Sequence, residues 1–271
     1  MKLPKWFVGE FIGTFLLVFF GCGSVAAAVL TGAQVGIFQV AIVWGIAIAL
    51  AIQLTGSLSG AHLNPAVTVA LTVFASFPKR LVPGYIATQC LSAFTAAAIL
   101  HVVFGSALVS FEETNGIERG APGSEASAMI YGEYFPNPDG KPLDPERAAS
   151  MTLAQAFFVE ATGTAILLLA ICGLTDPRNK GRAEVLVAPG IGLTVTILIS
   201  LLAPLTQGAF NPARDFGPRL FSALAGWRDL PFTLNGQGWW VVYIAGPISG
   251  GIVGAGLYRF VMAPAYRDDA D

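Results

Sequence analysis

The chain has 271 residues, of which 54% are hydrophobic and 12% are charged, and its mean hydropathy is +0.66. Soluble globular proteins carry about 25% charged residues, so the composition excludes an ordinary soluble domain and indicates an integral membrane protein. The formal net charge of −2 says little about partners, because the placement of the charges is more informative than their sum.

Six apolar segments are long enough to cross a bilayer as helices. They cover residues 6–30, 37–57, 84–105, 152–174, 185–205 and 238–262. A helix needs about 20 apolar residues to cross a hydrocarbon core of about 30 Å. The first segment shares with secretory signals a basic start at Lys2 and Lys5, but Glu10 interrupts its apolar core and the segment is too long. We therefore interpret it as a membrane span.

The charged residues predict how the chain is oriented. Residues 106–150 hold eight acidic and three basic side chains, whereas the termini and two other connections hold nine basic ones. These nine are Lys2, Lys5, Lys79, Arg80, Arg178, Lys180, Arg182, Arg259 and Arg267. Because positively charged loops stay in the cytoplasm, we expect a cell (inner or plasma) membrane protein with both termini cytoplasmic. The segment 106–151 is then an exterior loop, which we favour over a separate domain.

The second half of the chain repeats the first. GEFIGTFLLVFFGCG (9–23) and VEATGTAILLLAICG (159–173) share a Glu, a Gly-Thr pair and an aliphatic run that ends in Cys-Gly. We predict one membrane domain over 1–271, with repeats over about 6–105 and 152–262. Three spans per repeat insert the second copy upside down, and inverted repeats place a substrate path at their interface near the bilayer midplane.

One Asn-Pro-Ala motif in each repeat is predicted to begin a half-helix. Asn64-Pro65-Ala66 follows Glu10 by 54 residues, and Asn211-Pro212-Ala213 follows Glu160 by 51. Asn is a preferred N-cap and Pro suits the first helical position. Helices ending at about Ala75 and Ala223 would be roughly 16 Å long, half of the hydrocarbon thickness.

The polar stretches before these motifs are predicted to be irregular. They are TGSLSGAH (55–62) and PLTQGAF (204–210). Irregular backbone is tolerated at membrane depth only where it lines a cavity or is buried in protein, so we expect their carbonyl groups to line a path. Two half-helices from opposite sides would place two positive N-termini, each worth about half an elementary charge, at the midplane. Cations and protons would be repelled there.

Together these features resemble the major intrinsic protein (aquaporin) family, from about Gly9 to Arg259. The resemblance implies an all-α membrane protein with six transmembrane helices and two re-entrant half-helices in an inverted repeat. It also implies that Glu10 and Glu160 accept hydrogen bonds from the re-entrant loops. The expected assembly is a homotetramer with one pore per subunit, in a lipid bilayer, without a cofactor, a metal or nucleic acid.

The residues after the second motif resemble the glycerol-facilitating branch of this family. In NPARDFGPRLF, Asp215 follows Arg214, where strict water channels usually carry a small residue. The stretches FPNP (135–138) and LAGW (224–227) also resemble bacterial glycerol facilitators. The resemblance therefore implies an aquaglyceroporin.

The resemblance also implies an aromatic and arginine constriction, whose four positions fall on Trp44, Ile199, Gly208 and Arg214. An indole face can pack on the carbon backbone of a polyol while a guanidinium donates to its hydroxyl groups. Facilitators usually carry Gly where Ile199 stands and an aromatic residue where Gly208 stands. Compared with facilitators, this chain therefore has a larger side chain at position 199 and a smaller one at position 208. Phe210 is expected to supply part of the missing aromatic surface.

The predicted function is a passive channel for glycerol and other small neutral solutes, with water. A water-selective channel is the alternative, and a proton-coupled carrier that uses the intramembrane Glu10 and Glu160 is a further one. Arg214 could also be an interfacial residue paired with Asp215, in a purely structural membrane protein. The sequence contains no motif that supports an enzyme, and its three cysteines and two histidines are too scattered for a disulfide framework or a metal centre.

Overall fold

The computed structural model describes residues 3–33, 36–181 and 183–266. In this part of the chain the main elements, in order, are α1 (Lys5–Thr31), α2 (Ile37–Ser59), α3 (Pro65–Phe74), α4 (Lys79–Val103), α5 (Gly105–Asn115), α6 (Leu153–Thr175), α7 (Glu184–Thr206), α8 (Pro212–Ser222) and α9 (Gly238–Ala265). Six of these, all but α3, α5 and α8, are long and apolar enough to cross a membrane. The described residues contain no strand, and the predicted all-α fold class with six spans is confirmed. Three of the basic residues used to predict the orientation, Lys2, Arg182 and Arg267, lie outside the described residues.

The half-helices α3 and α8 begin at the two Asn-Pro-Ala motifs. The Asn64 side-chain oxygen accepts a hydrogen bond from the N–H of Ala66 at 2.8 Å. Asn211 caps α8 in the same way, with its oxygen 3.1 Å from the N–H nitrogen of Ala213. With 10 and 11 residues, these helices are too short to cross the hydrocarbon core.

The irregular segments before the motifs are shorter than the sequence predicts. Helix α2 continues to Ser59 and α7 to Thr206, which leaves only residues 60–63 and 207–210 outside helices before the two capping asparagines. The prediction of irregular backbone over 55–62 and 204–210 was therefore wrong in its first residues. A helix satisfies its own N–H groups at membrane depth, so polar side chains alone do not end it there.

The two repeats exchange their half-helices. Helix α3 of the first repeat packs against α9 of the second, and α8 packs against α4. Within the repeats, α1 contacts α2 and α4, while α6 contacts α7 and α9. Helices α2 and α7 pack together across the centre. Each half of the chain therefore packs against a half-helix of the other half.

Helices α6 and α9 approach closely through small residues on α9. A Cβ added at Gly250 would lie 2.7 Å from the carbonyl carbon of Ala161, and one at Gly254 would lie equally close to Ala165. Backbone atoms of a packed helix cannot move aside as a flexible side chain can. These two glycines therefore determine the distance between α6 and α9.

We expect Gly250→Ala to lower the stability of the protein by roughly 1–3 kcal/mol, because the added methyl group overpacks the α6–α9 contact. The measurement is the thermal unfolding temperature in detergent. Gly56→Ala on α2 is the matched control, since a Cβ there meets no atom of the described chain within 4 Å. Alanine also favours a helix over glycine by about 0.5–1 kcal/mol, so this control should be neutral or stabilising. Equal unfolding temperatures for the two variants would contradict the assigned packing.

The segment between the repeats is folded onto one face of the helix bundle, here called the loop face. It contains α5 and two short helical turns, Glu125–Ala128 and Pro145–Ala148. Residues 124–136 are all buried. The indole N–H of Trp227 holds this part in place by donating to the Ser124 carbonyl and the Ser127 hydroxyl, each at 3.1 Å. The segment thus contributes buried residues at the loop face.

Candidate permeation path

A buried glutamate supports the irregular segment of the first repeat. One carboxylate oxygen of Glu10 accepts from the Ser59 hydroxyl at 2.7 Å and from the N–H of His62 at 3.0 Å. The other accepts from the N–H of Leu63 at 2.8 Å and from the side-chain amide of Gln89 at 2.7 Å. Two backbone N–H groups that no helix satisfies are therefore bound by this carboxylate.

Glu160 makes the equivalent contacts in the second repeat. It accepts from the Thr206 hydroxyl at 2.7 Å, from the N–H of Ala209 at 3.1 Å and from the N–H of Phe210 at 2.8 Å. Neither Glu160 nor Glu10 has any exposed surface. The sequence duplication is thus reproduced as a duplicated set of hydrogen bonds, one carboxylate for each irregular segment.

Both irregular segments follow the same unusual backbone path. Three of the four residues in each lie in the left-handed region, with φ of +82°, +48° and +54° in the first repeat and +64°, +74° and +49° in the second. These residues are Gly60, Ala61 and Leu63, then Gln207, Gly208 and Phe210. This conformation costs an L residue with a Cβ about 1–2 kcal/mol, so hydrogen bonds to the glutamates are needed to hold it.

The two motifs meet at the centre of the molecule. The Asn64 side-chain N–H₂ donates to the Phe210 carbonyl at 2.9 Å, and that of Asn211 donates to the Leu63 carbonyl at 2.8 Å. A side-chain amide has two N–H donors, so one donor of each asparagine remains for a solute. The N-terminal ends of the half-helices therefore face each other across a point that carries both positive dipole ends and free donors.

A cavity of about 370 Å³ is lined by both motif asparagines and extends away from the loop face. Its wall is mainly aliphatic, while His62, Asn64, Asn211 and Arg214 supply polar groups. The aliphatic residues include Leu17, Ile48, Ile52, Leu71, Leu167, Ile171, Val187, Ile191 and Val195. This inner cavity offers an apolar surface with a small number of polar groups, which suits an amphipathic solute.

A second cavity of about 300 Å³ lies at the loop face. The segment between the repeats supplies part of its wall, with Phe111, Met129, Glu133, Asn137 and Asp139. Gln207 borders it as well, from the second irregular segment. This outer cavity is more polar than the inner one, and its polar groups come mostly from outside the Asn-Pro-Ala motifs.

Trp44, Ile199 and Arg214 border both cavities and therefore form the junction between them. All three side chains are buried. The guanidinium carbon of Arg214 lies 4.6 Å from the centroid of a Trp44 ring, which is a cation–π distance. One wall of the junction is thus aromatic, one aliphatic and one cationic.

Two further residues that the sequence analysis assigned to the constriction do not border both cavities. Gly208 and Phe210 border the inner cavity alone. A Cβ at Gly208 would lie 3.2 Å from the Phe210 ring, so this ring occupies the space beside Gly208. The aromatic surface that Phe210 supplies therefore lies on the motif side of the junction.

Arg214 is held by the segment between the repeats. One guanidinium nitrogen donates to the Tyr131 carbonyl at 2.9 Å, and another forms an ion pair with the Glu133 carboxylate. Asp215 points elsewhere and binds Arg219 through both of its oxygens, at 2.8 and 2.9 Å. The alternative in which Arg214 pairs with Asp215 is thus not what the structure shows.

Sequence reasoning missed Tyr131 and Glu133. Both lie in MIYGEYF (129–135), where Glu133 is the one charged residue in an apolar and aromatic stretch. This single charge could have indicated a buried ion pair, because a charged side chain in an apolar stretch is buried only when it has a partner. Burial raises the pKa of the Glu133 carboxyl above its ordinary value, and the positive charge of Arg214 offsets part of this rise.

Comparisons with known proteins agree with this geometry. The family model described as "Major intrinsic protein" matches residues 1–258. The glycerol uptake facilitator protein of Pseudomonas aeruginosa is 42% identical over 257 residues, which cover 94% of this chain and 88% of that protein. The propanediol uptake facilitator of Citrobacter freundii is 38% identical over 257 residues, with 94% and 91% covered. The X-ray structure of the aquaglyceroporin from Plasmodium falciparum superimposes with a TM-score of 0.81 at 28% identity, covering 97% of this chain and 98% of that one. The chain belongs to the major intrinsic protein family.

Proposed function

We propose that this protein is a passive channel for glycerol and other small neutral solutes, with water. The observation that carries the proposal is the junction, where the Arg214 guanidinium lies over the Trp44 ring between two cavities. A polyol is polar on its hydroxyl side and apolar along its carbon chain. Such a solute can bind a guanidinium and an indole face at the same time, whereas an ion cannot replace its hydration shell there.

In this proposal the junction is the selectivity constriction. Trp44 and Ile199 contact the carbon chain of the solute, and Arg214 donates to its hydroxyl groups. Farther in, the free amide donors of Asn64 and Asn211 orient the solute between the two half-helices, and the positive N-termini repel cations and protons. Pro65, Ala66, Pro212 and Ala213 shape the starts of these helices, and Gly208 with Phe210 forms the wall just inside the junction.

The relatives support the proposed solute class. Proteins at 38–43% identity are named facilitators of glycerol or propanediol uptake. Both compounds are small, neutral and hydroxylated on a three-carbon chain. Asp215 contributes indirectly, because it binds Arg219 and accepts from the N–H of Glu133 at 2.7 Å, which places the segment that holds Arg214.

Glu10 and Glu160 are proposed to support the loops and not to carry protons. Each carboxylate accepts at least three hydrogen bonds from the irregular segment or its flanks. Protonation during a transport cycle would remove acceptor capacity from buried N–H groups, which is costly. A passive channel needs no cofactor and catalyses no reaction, because its solutes move down their own gradients.

We further propose that both termini are cytoplasmic, that the segment 106–151 lies outside the cell (inner or plasma) membrane, and that the assembly is a homotetramer with one pore per subunit. The orientation is supported by the excess of basic residues at the ends of the spans opposite the acidic segment. The assembly is supported by membership of the family.

Stopped-flow light scattering on proteoliposomes tests the proposed function. A sucrose gradient should give shrinkage through water loss, and a glycerol gradient should give shrinkage followed by reswelling much faster than in protein-free liposomes. Water flux without glycerol-driven reswelling would instead establish a water-selective channel. Accumulation of glycerol against its gradient, abolished by an uncoupler, would establish the proton-coupled carrier.

A further inference from the structure

The position of Glu133 at the junction is fixed by its backbone. Its N–H donates to Asp215 at 2.7 Å, and its carbonyl accepts from the Arg219 guanidinium. Both partners belong to α8, the half-helix that carries Arg214. The side chain has no exposed surface, Glu133 is one of the residues that border the outer cavity, and its carboxylate forms an ion pair with Arg214. The segment between the repeats therefore delivers one carboxylate to the arginine of the junction.

This carboxylate is bound unlike the other two buried glutamates of the path. Glu10 and Glu160 each accept several hydrogen bonds, whereas neither oxygen of Glu133 has a hydrogen-bond donor in good geometry among the described residues. Its stabilising contact is the charge of Arg214. Asp215 forms its ion pair with Arg219. Among the described residues, Glu133 is therefore the carboxylate that neutralises the charge of Arg214.

We propose that Glu133 is a positioning residue of the junction, and that the charge on its carboxylate sets the rate at which neutral solutes pass. The proposal rests on the channel function proposed above. When Glu133 is ionised, it holds the guanidinium and neutralises its charge. When Glu133 is protonated, Arg214 keeps an uncompensated charge and binds passing hydroxyl groups and water more tightly.

Charge has a large effect on solute binding at the junction because the buried junction has a low dielectric constant. A hydrogen bond from a charged donor is about twice as strong as a neutral one, and an opposite charge beside that donor offsets part of its attraction for a third partner. Tighter binding at a single narrow point lengthens the residence of each solute there and lowers the flux. The neutral form of Glu133 is thus the slow form of the channel.

Other titratable and charged groups surround this carboxylate and contribute to its charge state. Arg214 and Arg219 on α8 favour the ionised form, whereas Asp215 on α8 and Glu160 on α6 oppose it. Three further groups face it from α1, the same segment and α9, namely Cys22, Tyr134 and Tyr243. Burial is the largest influence and raises the pKa of Glu133, so the change from fast to slow falls above the ordinary glutamate range of about pH 4–5.

The test is glycerol permeability of proteoliposomes between pH 5 and pH 9, with the same buffer inside and outside. For the wild-type protein we expect a fall of about fivefold from high to low pH, the factor that corresponds to a changed hydrogen bond at the junction. Glu133→Gln, which is neutral at every pH, should be slow and independent of pH. Asp139→Asn is the matched control, because Asp139 borders the same outer cavity but is exposed and does not contact Arg214. Its profile should follow that of the wild type.

A flat wild-type profile would overturn the proposal, and so would a Glu133→Gln variant that keeps the wild-type pH dependence. A loss of pH dependence in Asp139→Asn would assign the effect to the outer cavity in general and would also overturn it. Protein-free liposomes measured over the same pH range exclude a change in the lipid. Absence of glycerol flux at every pH would remove the channel function itself, and the two failures are therefore distinguishable.

Discussion

Replacing Glu160 with leucine is expected to leave no folded channel in the membrane. Leucine has a similar volume but accepts no hydrogen bond, so the Thr206 hydroxyl and the N–H groups of Ala209 and Phe210 would lose their acceptor. An unsatisfied buried donor costs about 1–3 kcal/mol, so three of them amount to roughly 3–9 kcal/mol. This approaches the total stability of a typical protein, about 5–15 kcal/mol.

The measurement for Glu160→Leu is the fraction of monodisperse protein after detergent extraction, followed by vesicle permeability. Glu160→Gln keeps one acceptor oxygen and should be intermediate. Glu10→Leu should resemble Glu160→Leu, because it removes the equivalent acceptor in the other repeat. Glu118→Leu, at an exposed position between the repeats, should extract and fold normally. A folded and conducting Glu160→Leu protein would show that the irregular segments hold their shape without the carboxylate.

Replacing Arg214 with alanine is expected to reduce stability and to relax selectivity at the same time. The substitution removes the cationic wall of the junction and leaves Glu133 buried without its partner. Breaking a buried ion pair by removing one member typically costs about 3–5 kcal/mol, which is at least about a fifth of the typical stability of 5–15 kcal/mol. The wider and less polar junction should admit larger solutes, so we expect five-carbon polyols to pass at least about tenfold faster relative to glycerol, a change of roughly 1.4 kcal/mol in their relative barriers.

The double variant Arg214→Ala/Glu133→Gln separates these two effects. Because glutamine carries no charge, the double variant should recover much of the thermal stability lost in Arg214→Ala, while its selectivity stays relaxed. The measurements are thermal unfolding in detergent and the permeability ratio of a five-carbon polyol to glycerol in proteoliposomes. If Arg214→Ala alone kept both wild-type stability and the wild-type ratio, Arg214 would be an ordinary structural residue and the proposed constriction would lie elsewhere.

The positions of some site residues could be predicted from the sequence, whereas the contacts of others could not. The motif asparagines were located by local preferences, because Asn is favoured as an N-cap and Pro suits the first helical position. Trp44 and Arg214 were assigned to the constriction by the family resemblance, which was carried over through their register from those motifs. Their common junction with Ile199 became visible only in the folded chain, where three helices contribute one residue each. Phe210 was expected beside these residues, but it lies on the inner-cavity side of the junction.

The sequence by itself determined the number of spans, the starts of the half-helices and the duplication, since hydropathy, capping and repetition are properties of short stretches of chain. The tertiary structure alone decided where α2 and α7 end, because a helix at membrane depth continues until another group can satisfy the backbone that follows it. It also decided the partner of Arg214. Asp215 is adjacent in the chain but turned toward Arg219, whereas Glu133 comes from a distant segment that packing brings to the junction. Such a contact depends on how separate elements meet in space, and no local pattern records that.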